Sequence, residues 1–569
     1  MKKIIALLLA LSMVFALAAC GSSDEPAAEP AGEPAAEEFV VDACIASEPE
    51  TIDVSLISSV DGSTYVQHMF ENLMKYAQND EHPAEDPNMY MTDIVTGQAS
   101  AVTISDDGLV YTFTLRDDIF WSDGQPVVAG DWVYSWRRLV NPETAADYGY
   151  FLDGIVLNAA AIQAGEKDPS ELGIKAIDDK TLEITLESPT PYFLECCAFA
   201  SLMPLREDVV EGNANWTDPA NIVVNGPYIL DEWVHDSYLT MVPNEQYYDV
   251  ANLGPDKIVW HLSDSETAIL SSYQNGEYDF IESFPTDMIE SLQSSGDCFI
   301  NPYVGTYYLY LNCDKIPSWK VRAAMTISVD RENIVKNVTQ GGQAPATGFV
   351  ASGILDSEGN DFAFGVSELG AVYNWLAQEY PDADLSTYAG RCELAKKLYD
   401  EAVEAGEWDA NTTVVYNFNT SDTHKAIAEA CGHDWQTVLG MNITLENQEW
   451  ATYTNGLGEH TFGVARLGWI ADYNDPITYL ELMVTGNAYN YGLYSDPDFD
   501  AAITNAKATA AGPERDAMLY AAEETLFGEG GFPVMPVYYY TNMYCAQGLS
   551  NMGYTPMGYF FMQYATPAQ

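Results

Sequence analysis

The chain predicts a mixed α/β fold, and three observations carry that reading. "HKAIAEACGHDWQTVLG" sets Ile427, Cys431, Trp435 and Val438 on one helical face between Ser421 and Gly440, then passes straight into the alternating strand "MNITLEN". "LVYTFTL" alternates Tyr111, Phe113 and Leu115 with Thr112 and Thr114, and a turn at Asp123-Gly124 leads on to a helical pattern. The part of the 569-residue chain beyond its N-terminal leader is also too long for one compact core, so several lobes are expected.

The elements follow in order. Lys2 and Lys3 precede an almost wholly apolar run, Ile4 to Ala19, that ends in Leu17-Ala18-Ala19-Cys20. The run is shorter than the roughly 20 residues of a spanning helix, so residues 1–19 read as a lipoprotein signal peptide and Cys20 as the lipidated N-terminus. The alternative is a plain secretory signal with an incidental cysteine. Residues 20–38, "CGSSDEPAAEPAGEPAAEE", have nothing apolar and large to bury and form an acidic proline/alanine tether. The expected location is extracytoplasmic, on the outer face of the cell membrane and held there through the lipid alone.

The folded body starts near Phe39 with a strand that breaks at Pro49. A helical pattern runs from Ser63 through "YVQHMFENLMKY", with Phe70, Leu73 and Met74 on its core face. Asp131 opens a helix that buries Val133, Trp136 and Leu139. Asn225-Gly226 leads into a strand pair around the polar turn His235-Asp236-Ser237.

Composition limits the function. The 85 acids against 23 bases exclude nucleic acid and anionic lipid as partners. No GxSxG, HExxH, P-loop or GxGxxG occurs, the seven histidines are scattered, and no CxxC or zinc spacing appears. No catalytic residue, metal site or cofactor is expected, although a glycosidase carboxylate pair leaves no local signature. Setting Cys20 aside, eight cysteines remain, compatible with disulfides or with buried thiols.

The chemistry concentrates in "RLGWIADYNDP", Arg466 to Pro476. "TFGVARLGW" alternates as a strand, with Arg466 beside Phe462 and Val464 on one face and Ala465, Leu467 and Trp469 on the other. Asp475 precedes Pro476 and an apolar run, the pattern of a helix cap, and reads as structural. Asp472 has no such local duty and becomes a costly buried charge unless a cation meets it; an ammonium ligand supplies one. Trp435 and Trp450 read as packing.

These residues, with "LRDDIFWSDGQPVVAGDWVYS" (115–135), "SEPETID", "PYFLE", "VNGPYIL", "NEQYYD", "KVRAAMTISVDRENIV", "AKKLYDEA" and "PVYYY", resemble the peptide-binding proteins of oligopeptide and dipeptide ABC importers. The resemblance runs from about Phe39 to the C-terminus. It implies a periplasmic-binding-protein-like fold with two main lobes joined by a hinge plus an inserted domain: lobe I of 39–70, 207–304 and 542–569, lobe II of 71–206, and lobe III of 305–541. It also implies that Asp472 holds the peptide α-amino group, that Ser58, Ser59, Val60, Gly468 and Ile470 offer main-chain hydrogen bonds, and that Tyr148 and Trp469 line the cleft. Arg466 and His424 stand at positions for the peptide carboxylate; the alternatives are an Arg466 paired internally with an acid and a His424 that is merely solvated.

Tyr310 and Leu457 depart from the glutamate and arginine that enteric members carry near their side-chain pockets, and Gly305 and Ile470 replace a cysteine pair. The expectation is a non-enzymatic, monomeric, lipid-anchored binder that captures short peptides and delivers them to ABC permease subunits. The alternatives are a sensor presenting a peptide signal, or a binder of a cell-wall peptide, sugar or metal chelate.

Overall fold

The computed structural model describes residues 38–45, 48–79, 88–296, 298–365 and 367–568. Residues 1–19, read as a signal peptide, Cys20 and all but the last residue of the expected tether 20–38 lie outside the described residues. Met1–Glu38 and Phe39–Gln569 form separate units, and the second carries the fold.

The mixed α/β expectation is met by one large sheet flanked by helices and by three smaller sheets. Numbered in chain order, its strands are β1 (Val40–Cys44), β2 (Tyr228–Val234), β3 (Tyr238–Pro243), β4 (Lys257–His261), β5 (Phe280–Ile281), β6 (Cys298–Leu311), β7 (Ala344–Pro345), β8 (Thr413–Asn419), β9 (Asn442–Gln448), β10 (Val464–Ile470) and β11 (Val534–Ala546). They lie in the order β9-β8-β10-β6-β11-β5-β1-β4-β3-β2, with β7 added to β11. β6 and β11 have 14 and 13 residues, long enough to span roughly 45 Å each, and they tie the two ends of the sheet together.

Their antiparallel register runs from Cys298 opposite Cys545 to Tyr310 opposite Val534 and slips between Pro302 and Thr306. That slip is a bulge around Tyr303–Gly305. Beyond it Tyr307, Tyr308, Leu309, Tyr310 and Leu311 are fully buried, so the core of this half of the sheet sits directly beneath the bulge.

A four-stranded antiparallel sheet (99–104, 110–115, 181–185, 174–178) lies between β1 and β2 in sequence. The alternation read over 110–115 matches its burial, with Tyr111, Phe113 and Leu115 inside. Gly124 takes φ +84° in the expected turn. The hairpin around His235–Ser237 also forms, with Asp236 at φ +59°.

Three local readings need correction. The helix read from Ser63 through Tyr76 is α1, Val60–Met69, and Met74–Gln78 is a strand. Phe70 turns extended (φ −124°, ψ 154°), and Asn225 clamps the next residue: its Oδ1 accepts from the Glu71 N–H at 3.2 Å and its Nδ2 donates to the Glu71 carbonyl at 2.9 Å. A tertiary contact thus ends a helix whose local pattern continues. Asp131 does not open its helix, α2 (Ala129–Val140), but sits in the first turn, where its carboxylate accepts from the Val128 N–H at 2.9 Å and the Trp121 indole at 3.0 Å. Trp132, not Val133, is the fully buried partner of Trp136 and Leu139, because the core-facing stripe lies one residue earlier.

Candidate functional site

β10 positions the site. Its antiparallel partner β6 runs along all of it, pairing Gly305 with Ile470 and Leu311 with Val464. On the other side β8 pairs only Val464 and Ala465. From Arg466 to Ile470 that second edge has no strand partner among the described residues; the Tyr453 hydroxyl caps the Arg466 carbonyl and the Tyr479 hydroxyl reaches the Trp469 carbonyl at 3.5 Å, and the stretch between is open to an added strand.

A cavity of about 660 Å³ opens at this edge. Ser58, Ser59, Val60, Tyr148, Arg466, Gly468, Trp469, Ile470 and Asp472 all line it. His424 lines an adjoining cavity of about 400 Å³, and Arg466, Val60, Asp61, Glu282, Tyr303, Trp450 and Tyr540 border both. The two are chambers of one cleft. Trp450, read from sequence as packing, is half-buried and forms part of the partition, because its helix (Trp450–Gly458) begins at the cleft edge. Trp435 does pack, fully buried, with its indole donating to the Met325 carbonyl at 2.9 Å.

Asp472 is 5 % exposed and no cation reaches it among the described residues. Its Oδ1 accepts from the Tyr148 hydroxyl at 3.1 Å and its Oδ2 from the Thr478 hydroxyl at 3.3 Å. Thr478 Oγ1 in turn accepts from the Asp472 N–H at 3.1 Å and the Trp469 indole at 3.3 Å, so one threonine orients both acid and tryptophan. Burial drives the Asp472 carboxyl well above the ordinary carboxylate range; the two hydroxyl donors offset only part of that. Asp475 has the structural role read from sequence: Arg515 grips it at 2.6 and 2.8 Å, and it accepts from the Ile477 N–H at 3.0 Å.

Arg466 has no carboxylate partner among the described residues. Its guanidinium donates to Asn419 Oδ1 at 3.0 Å and Tyr540 Oη at 3.1 Å and lies 4.9 Å above the Tyr307 ring, while its Nε has no acceptor. Gly468 makes that arrangement possible, since a Cβ there would stand 2.4 Å from the Tyr540 hydroxyl. His424 sits in the first turn of α3 (Asp422–Asp434), its N–H bonded to the capping Ser421 hydroxyl at 3.3 Å. Burial first, then the Arg466 charge, push its imidazole well below the usual range, so it is neutral.

Of the Ser58–Val60 backbone, the Ser58 N–H is taken by Glu50 at 2.7 Å and the Ser59 carbonyl by the Ser63 N–H at 3.0 Å; Ser59 caps α1. Those two groups are withdrawn from any ligand. Sequence reasoning missed Thr478, Tyr540, Asn419, Asp61 and Glu282. Tyr540 alone carried a usable signal: in "PVYYY" Tyr538 and Tyr540 alternate onto the face opposite Tyr539.

Segments distant in sequence meet around the cleft. Tyr192 stacks on Tyr473 at 4.2 Å, Glu195 accepts from the Asn474 N–H at 3.0 Å, and Lys507 donates to the Asp153 carbonyl at 3.0 Å. Residues 93–491 match the profile of bacterial extracellular solute-binding proteins, family 5 Middle. The chain belongs to that family. It is 33 % identical over 508 residues to the periplasmic oligopeptide-binding protein OppA of Salmonella typhimurium, covering 87 % of this chain and 86 % of that one.

Among solved structures, the murein tripeptide binding protein MppA of Escherichia coli superposes with TM-score 0.83 at 29 % identity, over 94 % of this chain and 99 % of its own. OppA of Listeria monocytogenes bound to peptide gives 0.81 at 25 %, over 94 % and 100 %. MppA in its unliganded open form gives 0.59 at 29 %, over 94 % and 98 %. The fold is therefore that of the periplasmic-binding-protein-like family members, two lobes with an added domain. No helix among the described residues is long and apolar enough to cross a membrane, and no cluster of metal-ligating side chains occurs among them.

Proposed function

We propose that this protein captures short peptides in the cleft beside β10 and delivers them to an ABC permease, held at the outer face of the membrane by a lipid on Cys20. The observation that carries the reading is the unpaired β10 edge ending at Asp472. An extended main chain adds to the edge at Arg466–Ile470, its α-ammonium meets the buried Asp472 carboxylate, and its carboxylate turns towards Arg466. No covalent step is involved.

Closure supports the same reading. Asp472, Tyr473, Asn474 and Lys507 of lobe III (305–541) contact Tyr148, Tyr192, Glu195 and Asp153 of lobe II (71–206), with lobe I (39–70, 207–304, 542–569) completing the cleft. MppA in its open form fits this arrangement less well than the other MppA structure, 0.59 against 0.83. β6 and β11, continuous between lobes I and III and bulged at the cleft, are suited to be the hinge strands. We take the protein to work as a monomer.

Native mass spectrometry of protein exposed to a mixed peptide digest tests the reading. Retained masses that resolve to short peptides are the expected outcome; a sugar, a metal chelate or one defined non-peptide molecule overturns it.

A further inference from the structure

The chamber wall between Asp472 and His424 is acidic. Glu50, Asp61, Asp147 and Glu282 line the cleft beside Asp472, and Arg466 is the sole cationic side chain facing them among the described residues. Glu50 has hydroxyl and amide donors from Ser58 and Ser59. Glu282, just past the end of β5, accepts nothing from the described residues; burial, then the neighbouring Asp61 charge, push its carboxyl up to about 8. Asp61, in the first turn of α1, is raised likewise by burial and by Glu50. One turn along, Thr64 lines the same wall at 1 % exposure, and its hydroxyl has no hydrogen-bond partner.

Two close carboxylates, neither ion-paired among the described residues, and an unsatisfied hydroxyl form a receptor for a positively charged group. Their position says which one. Asp472 borders only the larger chamber and His424 only the smaller, whereas Asp61 and Glu282 border both. They face the interior of a bound chain, not its amino end.

We infer that Asp61, Glu282 and Thr64 form a subsite for the side chain of an arginine or lysine inside the bound peptide. This makes the protein selective for basic peptides, and it rests on the peptide-binding reading above. A guanidinium placed there donates to both carboxylates and to the Thr64 oxygen.

The test is calorimetry on the purified protein with all-alanine tetrapeptide, with Ala-Arg-Ala-Ala and Ala-Ala-Arg-Ala, and with their citrulline counterparts, which keep the shape and lose the charge. At one of the two positions the arginine peptide binds about tenfold or more tighter than its citrulline match, the worth of a charge-assisted hydrogen bond. In Glu282→Gln and in Asp61→Asn that ratio collapses towards about one. Equal affinity at both positions overturns the inference, and so does a ratio that survives both substitutions together. If the neutral peptides bind without such a preference, the subsite alone falls; if no tetrapeptide binds, the peptide reading falls with it. The comparison in unaltered protein stands even if a variant folds poorly.

Discussion

At the scale of the residue, Asp472 is a carboxylate held by hydroxyls and indole-anchored threonine instead of by a cation. Asp472→Asn leaves an incoming ammonium desolvated and unpaired, an expected loss of about 2 to 5 kcal/mol, roughly 30-fold to several thousand-fold in affinity. N-acetylated peptides should lose a similar factor; titration with free and acetylated forms checks both, and equal affinities would remove Asp472 from the amine site. Because burial raises the Asp472 carboxyl, an ammonium that stabilises its charged form also expels its proton. Binding should therefore release protons and tighten as pH rises, measurable as a buffer-dependent binding enthalpy. Asp472 was legible in the sequence because its spacing from Trp469 left it with no local partner, while Asp475 announced its duty through Pro476. Thr478 was not legible, since only the turn of the chain after Pro476 brings it back under Asp472.

At the scale of the element, periodicity located the strands and misjudged where α1 stops. The pattern of Phe70, Leu73 and Met74 continues the helix, but Asn225 and the extended Phe70 end it from outside the local sequence. Gly226 belongs to the same contact: its N–H donates to the Met69 carbonyl at 2.8 Å, and a Cβ would stand 2.6 Å from the Met69 and Phe70 backbone. Backbone cannot swing aside as a side chain does, so Gly226→Ala should destabilise by about 1 to 3 kcal/mol. Thermal unfolding checks it, and an unchanged midpoint would mean that the helix end gives way freely. The alternation of β10 was readable. The missing partner along Arg466–Ile470 was not, because strand order sets β10 between β8, roughly 50 residues away, and β6, more than 150 residues away.

At the scale of the whole molecule, buried acids outnumber buried cations among the described residues, and this sets how stability responds to pH. Glu282 is raised to about 8 by burial and Asp61, and Glu523 and Asp153 to about 7 chiefly by burial. Each therefore keeps its proton in the folded state over a range where the unfolded chain has lost it, so the folded state binds more protons and stability falls as pH rises from about 4.5 to about 8. Self-repulsion of a chain with formal charge −62 acts in the same direction. The ligand-free protein should melt at a higher temperature at pH 5.5 than at pH 8, and a midpoint that climbs with pH would contradict this assignment. The acidity was plain in the composition, but whether it lay outside or inside was not, since burial is decided by which segments the fold brings together. The carboxylates along the cleft also have a kinetic side. Field lines from the acidic body converge on the low-dielectric mouth, so a cationic peptide is drawn in over about one Debye length, roughly 8 Å at physiological salt. Its capture rate should fall steeply with added salt while its escape rate changes little.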